Sequence, residues 1–535
     1  MIPCHWWLFW MATAWAYTFN ITYAPWPEVS DRQDVALRSE RDLTRPVPIN
    51  LLSHIGINLT SVVFAKSGVS SQSMTEVSNL LTTGVQAYTV NLYWNEFSEK
   101  WQLCPVPYDV GGGAIDSSWD CSVDITVNDL LMEFSNYCSR TNTEWDSTVL
   151  RMTVRLYDLP KRNTSLPVAT DVAVGNNSLA ASFAPMKQWM YTPHDLDNVT
   201  ANASHYVNVS TFPTFDTFVL TDLKRMIVSV DQDHVSNMTH GYNFTDADKQ
   251  LLFTSSSTAS TIIYNANPEL SEQCRDINNG SLSFTPVKDA LYYITDYGMT
   301  PFTQEEVNNY LRCGFSPLIS NITSVSAMEQ FYPFGFWSWS AGQPVLSGER
   351  FSTDQGNNDP IEAYNCVALY EGGYAVSDCY NQYYYACQSR IDGRRWHVSP
   401  KDDKRSYFDG YKDDVCPNGY EFSIPRSPWD LQNLNQVLLQ QQIDFPIWVD
   451  MNEITVPDCF VTGGPYAQCP YKRVFTRKQL VKSIAPSFVV SAFLLLLVIL
   501  EKFVRLNPIQ TNRKAYWRRV INEFNENHDY EGVPS

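Results

Sequence analysis

Apolar and polar residues alternate in two stretches of the chain, and each alternation predicts a β-strand. The first stretch is VQAYTVNLYW, whose buried face would carry Tyr88, Val90, Leu92 and Trp94. The second stretch is VLRMTVRLYDL, in which the apolar positions are Leu150, Met152, Val154 and Leu156. Both strands would place one apolar face against a core.

Helices are predicted ahead of strands of this kind. A short helix covers Glu76 to Leu81, and Gly84 suits the left-handed position just beyond a helix end. FDTFVLTDLKRMIVSVDQD predicts a further helix, followed by a strand near Met226 to Val230. Helices that precede strands at intervals favour an α/β layer architecture, of which a barrel is one form, over residues 17–325.

Two long apolar runs place the chain at a membrane. The run from Trp6 to Ala16 ends in the small-residue pattern that signal peptidase accepts, which predicts a signal peptide at 1–16. The usual preceding positive charge is missing, so a retained amino-terminal anchor is the alternative. The second run predicts a transmembrane helix at 484–504, because with its flanks it reaches about 20 residues. The cleaved signal would make the body lumenal or extracellular and the tail, 505–535, cytoplasmic.

Asparagine sequons support this type I topology, and none follows the predicted span. A single N-x-S/T is weak evidence, whereas this density behind a signal peptide predicts a glycoprotein of the secretory pathway or cell surface. The cluster from 163 to 243 predicts a glycosylated insertion in the α/β region. The predicted glycosylation sites are Asn20, Asn58, Asn163, Asn176, Asn198, Asn202, Asn208, Asn237, Asn243, Asn279 and Asn321.

Cysteine usage also indicates an oxidising compartment, because every cysteine except Cys4 falls in the predicted lumenal part. Their number is odd once Cys4 leaves with the signal, so one thiol is either free or paired with another chain. No paired C-x-x-C spacing supports a zinc site, and we expect neither a metal nor a cofactor. Residues 326–475 form a second predicted region, which is rich in cysteine and tryptophan.

Charge limits the partners that the chain can bind. The 535 residues carry a formal net charge of -19, and phosphate backbones would be repelled, so direct nucleic-acid binding is not expected. The expected partners are the membrane and a glycan or protein ligand on the lumenal side. The sequence contains no G-x-S-x-G elbow and no Walker-type phosphate loop.

FYPFGFWSWSAGQP is the most distinctive stretch of the second region. One interpretation is a half-buried strand that Gly342 and Pro344 terminate. Together with CVAL at 366–369 and GGYAVSDCYNQYYYACQ, it also resembles the carboxy-terminal half of a C-type lectin-like domain, and WVDMNE at 448–453 matches a strand of that family. The resemblance implies a Cys366–Cys379 disulfide and a partner for Cys387 such as Cys313.

Calcium binding does not carry over with that resemblance. Sugar-binding members hold calcium through acid or amide side chains that flank the turn proline. Val345 follows Pro344 here, and YAVSDC keeps only Asp378. We therefore expect Trp337 and Trp339 to lie in the core rather than in a sugar-stacking groove.

LLTTGVQAYTVNLYWNEFSEKWQLCP resembles the strand region of phosphatidylinositol-specific phospholipase-like barrels. That resemblance implies a TIM-barrel-like, phosphodiesterase-type fold with catalytic histidines. His54 is a weak candidate for the first histidine, and a lone histidine on an apolar stretch is more often a core residue. The second histidine is missing from the matching position, so we expect no catalysis. A membrane-anchored phosphodiesterase is the alternative.

The order of motifs along the chain resembles the fungal maintenance of telomere capping protein 6 family. The matching stretches are RSERD at 38–42, TTGVQAYTVNLYWNEFSEKWQLCP at 82–105, CGFSPLI at 313–319, FWSWSAGQP at 336–344, GYEFSIPRSPWDLQNL at 419–434 and CPY at 469–471. The resemblance implies a single-pass type I membrane protein with a part in telomere capping. A lumenal, acidic body predicts that such a part is indirect.

Overall fold

Parallel strands build the first sheet of this computed structural model. The structure describes residues 29–95, 100–105, 121, 124–158, 178–197, 206, 209–231, 244–254, 257, 259–350, 363–412, 415–471 and 477–527. The first sheet is formed by β1 (Gly56–Asn58), β2 (Ala87–Asn95), β3 (Lys100–Gln102), β4 (Leu150–Asp158), β5 (Met190–Tyr191), β6 (Met226–Val230), β7 (Ser260–Asn265), β8 (Ala290–Thr295) and β9 (Ser316–Ile319).

Strand order makes this sheet a partial barrel. The order is β5-β6-β4-β2-β1-β9-β8-β7, every neighbouring pair along it is parallel, and β3 pairs antiparallel with β2. Among the described strands, β6 and β7 do not pair with each other, so the sheet is open on that side. Phe253 forms a parallel bridge with Ser229 at the opening. The α/β, barrel-like prediction is confirmed.

The two faces of the barrel strands differ in polarity. The predicted apolar faces of β2 and β4 are buried, and on the outside of the barrel the ring of Tyr88 meets Phe134 edge-on at 4.9 Å. The alternate positions are buried too, among them Arg151, Thr153 and Arg155 of β4. A two-residue period usually indicates that one face of a strand is exposed to solvent. In a barrel both faces are buried, one against the surrounding helices and the other in the barrel interior.

The described part of the chain also contains longer helices. They are α1 (Asp31–Thr44), α2 (Ser71–Thr82), α3 (Val127–Arg140), α4 (Pro268–Asn278), α5 (Gln304–Cys313), α6 (Pro428–Gln441) and α7 (Arg477–Asn527). Short α-helices cover Ala65–Ser67, Leu179–Ser182, Pro193–Asp197 and Asp246–Leu251, and Asp216–Thr221 is a π-helical turn. The predicted helix before β2 is α2, and it begins before Glu76. Ser70 caps its start by accepting a hydrogen bond from the backbone amide of Ser73. Gly84, just beyond its end, has a φ of +90°.

A second, mostly antiparallel sheet follows the barrel in the chain. Its strands are β10 (Tyr364–Tyr370), β11 (Gly373–Asp378), β12 (Tyr384–Ser389), β13 (Trp396–Val398), β14 (Tyr420–Phe422) and β15 (Ile447–Asn452). The order is β11-β10-β15-β12-β13, with β14 beside β12, and only the β12–β15 pair is parallel. Disulfides Cys366–Cys379 and Cys387–Cys416 lie in this sheet region.

The tryptophan-rich stretch joins the second sheet to helix α1. Trp337 and Trp339 are each 1% exposed, which confirms their predicted core position. The Trp339 indole Nε1 donates a hydrogen bond to Ser39 Oγ at 3.0 Å, and the Ser338 backbone amide donates to Glu40 Oε2 at 3.2 Å. Two motifs about 300 residues apart therefore meet in one buried contact. The stretch pairs as a single bridge, Trp339 with Tyr374, rather than as a full strand.

The chain divides into two units, Met1–Tyr471 and Lys472–Ser535. In the second unit, α7 contains the run Ile484–Phe503, which is long and apolar enough to cross a membrane and has no buried share. This is the one such helix in the described part of the chain. It coincides with the predicted span at 484–504, whereas the predicted signal peptide lies outside the described residues.

Glu40 should make the stability of the body depend on pH. Burial raises the pKa of its carboxyl from 4.5 to about 7, against the opposing hydrogen bonds from Ser338. A carboxyl with a raised folded-state pKa stabilises the fold fully below its unfolded pKa, and this contribution is lost as pH rises through about 7. The free energy of unfolding should therefore fall by roughly 3 kcal/mol from this group between pH 4.5 and 8.

Glu40→Gln should remove this part of the pH dependence, because the amide is neutral and its oxygen accepts the same hydrogen bonds from Ser338. Urea unfolding of the full chain in detergent, followed by tryptophan fluorescence from pH 4.5 to 8, measures the effect. Glu272→Gln, on an exposed side chain of α4, is the matched control and should keep the wild-type slope. Equal slopes for wild type and Glu40→Gln would contradict the burial of an ionisable Glu40.

Candidate functional site

The carboxyl ends of the barrel strands are the first place to look for chemistry, because active sites of parallel barrels lie at that face. Arg155 of β4 and Asp231, which follows β6, form an ion pair there, with Nε to Oδ2 at 2.9 Å. Their side chains are 4% and 7% exposed. The pair lies inside the barrel, across two neighbouring parallel strands.

Aromatic and amide side chains surround this ion pair. The Arg155 guanidinium lies 5.7 Å from the centre of the Tyr297 ring, and the rings of Tyr93 and Tyr157 stack at 5.5 Å. Asn91 donates a hydrogen bond to the Tyr93 hydroxyl at 3.4 Å. We name these six residues, Arg155, Asp231, Tyr297, Tyr93, Tyr157 and Asn91, the mouth cluster. Because the guanidinium of Arg155 neutralises the carboxylate of Asp231, the cluster holds a buried ion pair rather than a free carboxylate base.

His54 lies at the opposite end of the barrel, since it precedes β1 rather than following it. It lines a cavity of about 260 Å³ together with Glu40 and Gln86. Burial lowers the pKa of its imidazole well below the ordinary value, and the nearby Arg151 lowers it further, so His54 is neutral at pH 7. Residues at this end of a parallel barrel generally serve stability. The structure does not bring His54 together with the mouth cluster.

The disulfide pattern corrects one predicted pair. Cys366 and Cys379 are bonded as the resemblance implied, but Cys387 bonds to Cys416 and Cys313 bonds to Cys274. Cys313 is the last residue of α5, and its Cα lies 5.4 Å from that of Cys274 on the neighbouring helix α4. Its thiol is therefore used in a disulfide within the barrel region. Sequence spacing alone does not determine such connectivity.

The remaining cysteines answer the question of the odd thiol. The other disulfides are Cys104–Cys121 and Cys459–Cys469. Cys138 is free and buried, and burial raises the pKa of its thiol to about 11. A buried thiol with a raised pKa is a poor nucleophile and is inaccessible to a second chain.

The oxygens that a calcium site would need are already engaged by the protein. Gln343 Oε1 accepts hydrogen bonds from the backbone amides of Val345 and Val376, both at 3.2 Å. The carboxylate of Asp450 accepts from the amides of Gly463 and Gly464. No group of three or more histidine, cysteine, aspartate or glutamate side chains is gathered for a metal within the described residues.

Arg350 supplies a positive charge near the turn at Pro344. Its guanidinium donates to the carbonyl oxygens of Val345 and Tyr364, to Asn365 Oδ1 and to a carboxylate oxygen of Glu453. The Arg350 and Glu453 side chains are both buried. Burial raises the pKa of Glu453 to about 7, although Arg350 opposes that shift. We name Arg350 and these acceptors the arginine cage. Its oxygens surround the guanidinium of Arg350, so the positive charge at this site is that of a side chain.

Three of the predicted glycosylation sites lie in the described residues. Asn279 is exposed, and Asn321 is half-buried and donates to the carbonyl oxygens of Asp296 and Met299. Asn58 is 1% exposed inside β1, so the folded barrel gives no room for a sugar there. The other sequons, at Asn20, Asn163, Asn176, Asn198, Asn202, Asn208, Asn237 and Asn243, lie outside the described residues.

Sequence reasoning missed the two buried ion pairs. Arg155 was visible only as a polar position in an alternating strand, and Asp231 as the residue after an apolar run. Glu453 ends the WVDMNE match, which was a usable signal for a buried strand end. Nothing in the sequence around Arg350 indicated that it would be the partner of Glu453, which lies 103 residues further on.

The fold and these contacts define a class: a partial parallel barrel with a buried ion pair at the carboxyl ends of two neighbouring strands, followed by a disulfide-bonded sheet. Residues 27–341 match the family model of the MTC6 partial TIM-barrel domain. The chain is 33% identical to maintenance of telomere capping protein 6 of Debaryomyces hansenii, over 95% of this chain and 96% of that protein. The protein of the same name from Meyerozyma guilliermondii is 34% identical, over 94% of each. This chain belongs to the maintenance of telomere capping protein 6 family.

Solved structures give a more distant similarity. A calcium-dependent phosphoinositol-specific phospholipase C from a Pseudomonas species aligns over 56% of this chain and 94% of its own, at 11% identity and a TM-score of 0.28. A phosphatidylinositol-specific phospholipase C variant from Staphylococcus aureus aligns over 56% and 100%, at 8% identity and the same TM-score. A similarity this weak carries no information about activity.

Arg350→Ala should destabilise the second sheet region by about 3–5 kcal/mol, because it leaves the Glu453 carboxylate buried and unpaired. The matched control is Arg390→Ala: Arg390 pairs with Glu421 at the surface and is 65% exposed, so its loss should cost no more than about 1 kcal/mol. Urea unfolding of the full chain in detergent compares the two variants. EDTA should leave the melting temperature of the wild type unchanged, and a clear drop with EDTA would contradict the assignment of the cage's charge to Arg350.

Proposed function

We propose that this chain is a single-pass type I membrane glycoprotein whose body binds a ligand or partner protein and does not catalyse a reaction. The observation that carries the non-catalytic part is the buried Arg155–Asp231 ion pair. A general acid or base must be a titratable group that can reach the substrate, and the Asp231 carboxylate is instead bonded to Arg155. The position of His54 at the other end of the barrel supports the same conclusion.

The membrane part of the proposal rests on three features that agree. Ile484–Phe503 is an apolar helix of sufficient length, five disulfides join described cysteines, and Asn279 is an exposed sequon. Disulfides and glycans both belong to the secretory pathway or the cell surface. A body on that side of the membrane would be separated from chromosomes.

The relatives are named for the maintenance of telomere capping. We propose that any such role of this chain is indirect and acts through the secretory pathway or the cell surface. The net charge of -19 supports this proposal, since an acidic body repels a nucleic-acid backbone. Binding of a glycan or protein by a lectin-like second region is the form of ligand recognition that the sequence motifs favour.

Topology mapping in intact microsomes tests the membrane proposal. With one tag at Tyr17 and one after Ser535, we expect protease to remove only the carboxy-terminal tag and glycosidase to lower the mass of the protected body. Permeabilised microsomes are the control and should expose both tags. An unglycosylated body that protease digests without permeabilisation would reverse the topology and reopen direct contact with nuclear partners.

A hydrolase of the phospholipase type is tested separately. Purified full chain in mixed micelles of detergent and phosphatidylinositol should release no inositol phosphate above the level of a heat-treated sample. His54→Ala should behave in the same way, because His54 lies away from the mouth cluster. Turnover by the wild type that His54→Ala abolishes, with an unchanged melting temperature, would establish the enzymatic alternative instead.

A further inference from the structure

An amide-rich cleft lies where helices α4, α5 and α6 meet. We name it the amide cleft, and its defining side chains are Asn278, Asn279, Asn308, Asn309 and Asn435. Its volume is about 630 Å³, which is within the range of sites that hold small organic ligands. It is separate from the mouth cluster and from the arginine cage.

Buried polar atoms in the amide cleft lack partners. Asn435 is 6% exposed, and its Nδ2 donates to the Asn278 carbonyl oxygen at 2.7 Å, but its Oδ1 accepts no hydrogen bond from any described residue. Asn278 repeats this pattern, with Nδ2 donating to Asn309 Oδ1 at 2.7 Å and an unpartnered Oδ1. The Nε of Arg312 likewise has no described partner. Buried polar groups are normally satisfied, so each of these calls for a ligand or water.

The unmatched groups specify the chemistry of a ligand. Two amide oxygens need donors and one guanidinium N–H needs an acceptor, and hydroxyl groups supply both. The charged side chains at the cleft are the cations Arg275 and Arg312 and the anions Glu305, Glu371 and Asp444, which leaves no excess positive charge for a phosphate. Apolar side chains, Leu438 and Ile443 among them, also line the cleft and can contact the C–H face of a sugar ring.

A predicted glycosylation site stands at the rim of this cleft. Gly280, the middle residue of the Asn279 sequon, has φ +82°, and a Cβ there would lie 2.6 Å from the carbonyl carbon of Asn435. The sequon backbone is therefore packed directly on α6. Asn279 itself lines the cleft, so a sugar attached to it would begin at the cleft's rim.

We propose that the amide cleft binds a neutral, hydroxyl-rich saccharide. This inference rests on the proposed placement of the body in the secretory pathway, where saccharides are attached. The saccharide has two possible sources: the N-linked sugar on Asn279 of the same chain, or a glycan of another molecule. The chemistry of the cleft is the same for both, and the test below separates them.

Native trimming of the glycosylated full chain with endoglycosidase H tests the first source. Site-resolved glycopeptide mass spectrometry measures the half-time of trimming at Asn279 and at Asn321. A sugar seated in the cleft should be trimmed at least tenfold more slowly at Asn279 than after Leu439→Arg. Leu439 is 53% exposed at the cleft, so arginine there can block the cleft without disturbing the core.

Binding of a free high-mannose N-glycan tests the second source, because this probe contains both N-acetylglucosamine and mannose. Titration calorimetry compares the wild type, Asn279→Gln, Asn435→Leu and the control Asn433→Leu, whose amide donates to Trp429 within α6, away from the cleft. Binding by the wild type, lost in Asn435→Leu and Leu439→Arg but kept in Asn433→Leu, assigns the cleft to an external glycan. Binding that appears only in Asn279→Gln assigns it to the chain's own sugar.

Fast trimming at Asn279 in every variant, together with no binding of the probe, would overturn the proposal. A chain that carries no sugar at any sequon would contradict the proposed topology, and probe binding would then still decide the function of the cleft. Leu439→Arg covers the case in which Asn435→Leu does not fold.

Discussion

The buried contact between helix α1 and the tryptophan-rich stretch determines how the two sheets are joined. Ser39 and Glu40 belong to a helix beside the amino-terminal end of the barrel, and they receive hydrogen bonds from Trp339 and Ser338. Trp339 also packs edge-on against Phe460 at 5.0 Å, beyond the last strand of the second sheet. Since a buried acceptor without its donor costs about 1–3 kcal/mol, this junction fixes one relative arrangement of the sheets.

The amide cleft is a second junction between the two parts, because α6, which lies between β14 and β15 of the second sheet, packs against the barrel helices α4 and α5. The Gln432 side chain of α6 donates to the Arg312 carbonyl oxygen at the end of α5, and Asn435 donates to the end of α4. These bonds connect helix termini, where carbonyl oxygens have no partner within their own helix. A cleft at such a junction forms only when both sheets are folded, which distinguishes it from a cleft on either sheet alone.

Local periodicity was enough to predict β2, β4 and β6, but it could not reveal the side-chain contacts inside the barrel. The apolar face of β2 followed from its two-residue period. The end of α2 followed from Gly84, because glycine adopts a positive φ without steric cost. The Arg155–Asp231 pair joins residues 76 positions apart, and the correct partner of Cys387 lies 29 positions away. Such pairings depend on strand order, and in a parallel sheet strand order is set by crossovers that no local pattern encodes.

An internal arginine and a bound calcium ion have different consequences for a ligand-binding fold. A metal-dependent site couples folding to the concentration of free ion, and it can hand open coordination positions to a sugar. Arg350 is covalently part of the chain, so its charge is present under every condition. Its donors are directed at acceptors of the protein itself, on Val345, Tyr364, Asn365 and Glu453. The recognition proposed for this body would therefore depend on polar groups that the fold leaves unsatisfied, and Asn278, Asn435 and Arg312 of the amide cleft carry three of them.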